Sequence, residues 1–303
     1  LYTIACLATL TIYALPAVGS EGVTLFRAIV TYNFAFSLVF SGGLVRVMTR
    51  CLADQIYERR ADQAPGMLIG GLFVLCLIQA PVAVPFYVFA VDLPPALIVQ
   101  GLVNYFLVTS LWLVGVFLTA LRVYTAISLS FIFGLGAALG LALLGGEWAG
   151  LEGMLIGFNA GLAAILFLLV IRAFAEYPYP AVRLFSFLRT LKPYWSLALS
   201  GFLYNVAIWV DKWIMWLAPE RERLPSGFVH NGTYDSAMFL AYLSIVPSMA
   251  VFLLHLETRF YEKYLRLYRE VQNHATFERI EEDHKTLIEE LIAGLRNLIV
   301  IQA

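Results

Sequence analysis

The sequence predicts an all-α protein: a polytopic bundle of helices that cross a membrane. Three observations predict it. Hydrophobic residues make up 61% of the 303 residues and charged residues only 14%, where a soluble domain has roughly 45–50% and about 25%. The apolar residues fall into runs close to the ~20 that a spanning helix needs. The basic residues collect between those runs, on one side of the implied membrane.

Taken in order, residues 1–18 form a first, partial span and 23–45 a second. A third covers 67–90 and meets the turn Asp92-Leu93-Pro94-Pro95. The fourth and fifth cover 96–119 and 124–144, and Gly145-Gly146-Glu147-Trp148 is expected to turn the chain into the sixth, 151–171. The seventh and eighth are 194–217 and 236–256, and a ninth begins near Leu287. The chain opens on Leu1 inside an apolar run and closes on Leu298-Ile299-Val300-Ile301 inside another, so the expectation is a piece truncated at both ends.

Lys and Arg accumulate in cytoplasmic loops. With eight spans, sixteen of the twenty basic residues fall on one side, the exceptions being Arg27, Lys212, Arg221 and Arg223. One span more or fewer would scramble that bias. The first span is therefore expected to run outward from the cytoplasm, with Arg122 marking the inner end of the fourth.

Two stretches are polar. The outer loop 218–235 is rich in Pro, Gly and charge. The inner segment 258–286 carries Phe260, Tyr261, Tyr264, Leu265, Tyr268 and Val271 at helical spacing, with Lys263, Arg266, Arg269 and Glu270 on the other face. It reads as a helix lying on the cytoplasmic leaflet, before Glu278, Glu281, Glu282 and Asp283 lead to the ninth span. Inside the spans, Gly66/Gly70, Gly136/Gly140 and Gly153/Gly157/Gly161 have the four-residue spacing that lets helix backbones approach.

Several function classes drop out. A net charge of −1 offers no basic surface for nucleic acid. The chain has neither a phosphate-binding Walker loop nor an HExxH pair, and no loop before 258 is long enough for a catalytic domain, so no enzyme is expected. Cys6, Cys51 and Cys76 are scattered, His274 and His284 are ten residues apart in a charged segment, and neither set predicts a metal site or cofactor. Asn231-Gly232-Thr233 matches a glycosylation sequon, which matters only in a eukaryotic secretory setting.

Ionisable residues within spans are costly and therefore functional candidates. Asp211 and Lys212 in the seventh span are the clearest, with Asn205 six positions earlier. Neighbouring helical residues point about 100° apart, so Asp211 can face a cavity while Lys212 snorkels to the outer interface. Trp209, Trp213 and Trp216 suit the alternative in which both lie at a wetted boundary. Arg27, one turn into the second span, either snorkels outward or pairs with an acid such as Asp211. Asn33, Asn104 and Asn159 need hydrogen-bond partners in hydrocarbon.

Three strings carry a family resemblance: Val30-Thr31-Tyr32-Asn33-Phe34-Ala35-Phe36-Ser37-Leu38 running into Thr49-Arg50-Cys51-Leu52-Ala53-Asp54; Asn205 through Trp216; and Tyr234 through Pro247. They resemble PelG proteins, which are similar to MATE-like flippases of the polysaccharide transporter superfamily. The resemblance implies twelve spans in two six-helix lobes: 1–171 the first, 172–193 the cytoplasmic linker, and 194–303 the start of the second. It implies export of the amino-sugar-rich Pel exopolysaccharide across a bacterial inner membrane. The implied partners are that polymer, membrane lipid, a cytoplasmic glycosyltransferase and other inner-membrane subunits. It supplies no motif that fixes a site, so Asp211, Asn205, Arg27, Asn33 and Lys212 stand as translocation candidates on their own chemistry. Two other readings remain open at this point: an ion-coupled antiporter using Asp211, and a scaffold subunit docking its enzyme through 258–286.

Overall fold

The computed structural model describes residues 2–120 and 124–302, so Arg122 lies outside the described residues. The chain forms two compact units, Tyr2–Asn231 and Gly232–Ala303.

In the larger unit, α1 (Tyr2–Tyr13) leads into α2 (Leu15–Tyr57), which is 43 residues long. Pro16 sits at the start of α2, where its missing N–H costs nothing. Gly19 breaks the helix with φ 78°, and the chain is then helical to Tyr57. Next come α3 (Ala64–Pro85), a π-type turn over Phe86–Ala90, α4 (Pro95–Ala120) and α5 (Tyr124–Glu176). The expected turn at Asp92–Pro95 is present, with Pro95 opening α4.

The sharp break inside α5 is at Ala149–Gly150, not at 145–148. The reason is that the glycines do different jobs. Gly150 takes φ 58°, a conformation other residues resist. Gly145 instead packs the two halves of α5 together: a Cβ there would stand 2.2 Å from the carbonyl oxygen of Gly153.

A short helix α6 (Leu188–Leu191) precedes α7 (Trp195–Leu217). A two-stranded antiparallel hairpin, β1 (Glu222–Arg223) and β2 (Val229–His230), closes the unit. The core centres on α2, which packs against α4, α5, α7 and α3. Phe26, Ile29, Val47, Met48 and Leu52 of α2 are buried against Val114, Phe117 and Phe158 among others. α7 lies along α2 inside the larger unit.

The smaller unit contains α8 (Gly232–His255), a π-type turn over Leu256–Phe260, α9 (Tyr261–Gln272) and α10 (Phe277–Gln302). α9 is strongly amphipathic, as its pattern predicts, with Tyr264, Leu265, Tyr268 and Val271 exposed. α10, where a ninth span is expected from near Leu287, starts ten residues earlier at Phe277 and takes in the acidic run. Carboxylates are favoured in a first helical turn, and Lys285 bridges Glu281 one turn back at 3.1 Å. α10 packs along α8, where the His255 ring nitrogen Nε2 meets the Glu290 carbonyl at 2.8 Å. Arg266 of α9 pairs with the buried Asp283 of α10 at 3.1 Å.

Among the described residues, five helices are long and apolar enough to cross a membrane, and three of these, at 43, 52 and 41 residues, exceed 40. The chain is a membrane-spanning helical bundle.

Candidate functional site

The site is framed by two ends of the larger unit, and the loops sort between them as the basic-residue count expects. At one end Cys51 Sγ meets Thr190 Oγ1 at 2.8 Å and the Tyr194 hydroxyl donates to Asp54 at 3.2 Å. There too, α3 lies so close to the segment before α6 that a Cβ on Gly66 would stand 1.9 Å from the Val182 carbonyl oxygen. At the other end the Asp92 N–H donates to the Ser226 carbonyl at 3.0 Å, and the Tyr32 hydroxyl donates to the Val229 carbonyl at 2.7 Å.

Between the ends runs a chain of buried amides. Asn33 donates to the Gly101 carbonyl at 3.0 Å and to Asn104 at 2.9 Å, and accepts from the Tyr87 hydroxyl at 2.8 Å. Asn104 donates to Asn159 at 2.8 Å, and Asn159 donates to the carbonyl and side chain of Gln100 at 3.0 and 3.1 Å. A second group joins the Tyr105 hydroxyl to Gln79, Gln79 to the Ser37 carbonyl, and the Trp112 indole to Ser37 Oγ. These bonds tie α2, α3, α4 and α5 together. Each polar group is paid its partner inside the bundle, which is what hydrocarbon demands.

Beside the amides, α2 and α7 present an aromatic surface. The Tyr32 ring stacks on Trp216 at 4.5 Å and 3°, and meets Phe228 edge-on at 5.0 Å. One turn along, Phe36 stacks on Trp213 at 5.4 Å and 12°. Tyr32, Phe36, Phe40, Phe86, Tyr87 and Tyr105 wall a cavity of about 220 Å³. Offset or edge-on rings at such separations add roughly 0.5–1.5 kcal/mol per pair beyond burial. The indole N–H groups of Trp209 and Trp213 are buried and make no hydrogen bond. They are donors that the fold leaves unused.

The candidates divide between these features. Asn33 belongs to the amide chain and lines the cavity. Asn205 donates to the Leu38 carbonyl at 2.8 Å, clamping α7 to α2. The helices cross there on Gly42 and Gly201: a Cβ on Gly42 would meet Asn205 Nδ2 at 2.3 Å and the Gly201 carbonyl at 2.7 Å. Asp211 is half-buried, two residues before Trp213.

Lys212 does not snorkel. It is 9% exposed, with its ammonium 5.0 Å over the Trp209 ring, because an aromatic face offers a cation an alternative to water. Arg27 is exposed. Asn231, the first residue of the sequon, is buried and donates to the Met215 carbonyl at 3.4 Å.

Sequence reasoning found Asn33, Asn104 and Asn159 but missed Gln79, Gln100, Tyr87 and Tyr105. The two glutamines carry the same signal, an amide in an apolar run, and the rule that flagged the asparagines applies to them equally. The tyrosines carry no such signal, since aromatic residues also suit lipid and core.

A protein-family model described as PelG, "Putative exopolysaccharide Exporter (EPS-E)", matches residues 1–303. No curated protein and no solved structure matches the chain.

Proposed function

The chain belongs to the PelG family of exopolysaccharide exporters, and from that premise we propose that it carries a Pel-type, amino-sugar-rich polymer out across a bacterial inner membrane. It works there with a cytoplasmic glycosyltransferase and other inner-membrane subunits. In this reading 1–171 is one lobe, 172–193 the linker, and the chain from 194 onward begins the other. The polymer passes along the α7 side of α2.

One observation carries the placement: the aromatic surface that holds two unspent indole donors next to a half-buried carboxylate. Aromatic faces pack on the C–H faces of pyranose rings. The N–H groups of Trp209 and Trp213 donate to sugar hydroxyls. Asp211 attracts the ammonium of an amino sugar, which is worth most where water is thin. Asn205 and Lys212 position α7, and Asn33 holds the cavity wall. Arg27, exposed near the outer end, lies where the polymer leaves.

The test is Asp211→Asn in cells that make the polymer. Secreted polymer falls several-fold at unchanged protein level, and Trp213→Phe, which keeps the ring and deletes the donor, lowers it less. Unchanged secretion in Asp211→Asn removes Asp211 from the mechanism. For the enzyme contact, deletion of 258–286 abolishes co-purification of the glycosyltransferase if α9 is the dock. Retained association places that contact elsewhere.

A further inference from the structure

The end of the larger unit that gathers Arg50, Tyr194 and Thr190 also holds a concavity unrelated to the aromatic surface. The loop after α2 and the segment before α6 enclose about 770 Å³ there. Arg60, Arg183 and Arg189 line it, together with Gln63, Ser186 and Phe185. More than a hundred residues of chain separate Arg60 from Arg183, so the fold brings these cations together, not local sequence.

The walls are built and not incidental. Val182 and Leu184 press onto α3 where only glycine fits: a Cβ on Gly70 would stand 1.8 Å from the Leu184 carbonyl oxygen. Arg183 holds φ at 56°, a left-handed backbone that costs a non-glycine residue roughly 1–2 kcal/mol. The Ser186 N–H bonds back to the Arg183 carbonyl at 3.0 Å and fixes that turn. Such strain persists where surrounding structure enforces it, and it gathers at binding sites.

The chemistry of the lining is one-signed. The residues that wall the concavity include no Asp or Glu. Glu58 reaches Arg60 from outside at 3.3 Å, but both side chains are more than half exposed, so the pair is weak and easily exchanged. Arg183 and Arg189 are exposed. Ser186 Oγ is buried and makes no hydrogen bond. Three guanidinium groups lining one hollow share a like charge, and an anion between them is favoured.

We propose that this hollow is a binding site for a phosphate group. Guanidinium forks match phosphate oxygens two at a time, which a single ammonium does not. Ser186 and Gln63 add neutral donors, and the exposed Phe185 ring at the rim fits the edge of an acyl or base moiety. Ordinary cytoplasmic arginines are scattered and fully solvated. These three line one open hollow with a buried hydroxyl at its side. The phosphate comes from one of two sources: the headgroup of an anionic phospholipid at the membrane surface, or a soluble phosphate compound. The proposal stands apart from the polymer path and does not depend on it.

The experiment uses the whole chain purified in a zwitterionic detergent, with thermal unfolding followed by tryptophan fluorescence. Two probes are titrated: short-chain phosphatidylglycerol against phosphatidylcholine, and inorganic pyrophosphate against sulfate. The variant Arg183→Gln/Arg189→Gln alters two exposed side chains. The variant Arg259→Gln/Arg279→Gln removes equal charge from the smaller unit and serves as the control.

Phosphatidylglycerol or pyrophosphate stabilises the parent chain and the control, and the apparent affinity falls about tenfold for each pocket arginine removed. A response to phosphatidylglycerol alone assigns the site to a lipid headgroup, and a response to pyrophosphate alone assigns it to a soluble ligand. The proposal is overturned if neither probe shifts the melting curve. It is equally overturned if the pocket variant and the control respond alike, since that is unspecific attraction between charges. Native mass spectrometry of each variant counts bound lipid directly and settles a case in which the pocket variant unfolds early.

Discussion

The two units carry apolar helices of similar hydropathy and treat them oppositely. In α2 and α4, 56% of the most apolar stretch is buried within the protein, while in the continuous helix Gly232–Gln272 the figure is 6%. Hydropathy alone does not separate the two cases, since those stretches average 1.6, 1.9 and 2.1. What separates them is the punctuation of the sequence. The larger unit places glycines and amides at its helix crossings, whereas α8 carries long side chains such as Leu240, Leu253 and Leu254 that stay exposed. A helix meant to meet other helices spends small and polar residues on the contact. One meant to meet lipid or another apolar surface does not.

Substitutions at matched positions break or sharpen that contrast. The largest effect is expected at Gly157, where a Cβ would lie 2.2 to 2.5 Å from three backbone atoms of Leu141 and Ala142. Backbone cannot step aside, so Gly157→Leu costs about 3 kcal/mol or more. The check is whether folded protein still accumulates in the membrane.

Next comes Asn104→Leu. It strips a partner from Asn33 and from Asn159 at once and costs about 1–3 kcal/mol for the groups left unsatisfied. Thermal unfolding in detergent measures it, and Asn104→Gln recovers part of the loss.

The smaller unit is expected to respond less. Gly294→Ala sets a methyl 2.5 Å from the His255 ring, a side chain that can turn away, at about 1 kcal/mol, and the bond from His255 to the Glu290 carbonyl is lost. Hydrogen exchange then rises in α8 and α10 and stays unchanged in α2. The smallest effect belongs to Arg266→Gln. Asp283 is buried but Arg266 is 59% exposed, and solvent screening holds the cost to roughly 0.5–1 kcal/mol. Equal losses at Gly157 and Gly294 would sink the contrast.

How far the sequence discloses this molecule follows the range of each interaction. Apolar helices are legible because a hydrocarbon slab acts on every residue alone, through hydropathy. The asparagines are legible for the same reason: an amide in an apolar run needs a partner wherever the helix goes. Which partner is not legible, because Asn33 meets Gly101 and Tyr87 only after three helices pack.

Gly145 and Gly150 look alike on paper, and only packing shows that one allows contact while the other makes the bend. Lys212 misleads for a related reason. Snorkelling is the default for a lone lysine near an interface, and the Trp209 ring three residues away overrides it. The start of α10 at Phe277 shows the opposite failure, in which local helix preference carries an acidic run that hydropathy assigns to water.

The length of α2 has a mechanical consequence. Beyond the bend at Gly19 the helix runs without interruption to Tyr57, roughly 57 Å at 1.5 Å per residue. That is nearly twice the hydrocarbon thickness of about 30 Å. The same rod carries Tyr32 and Phe36 in its first half and Arg50 and Asp54 near its far end. Its geometry is that of a lever arm: a pivot of α2 by about 10° about Gly19 would sweep Tyr57 through roughly 10 Å. The same pivot moves Tyr32, about 20 Å from Gly19, through only roughly 3 Å, so a small shift beside Trp216 becomes, at the far end, a displacement as wide as a helix.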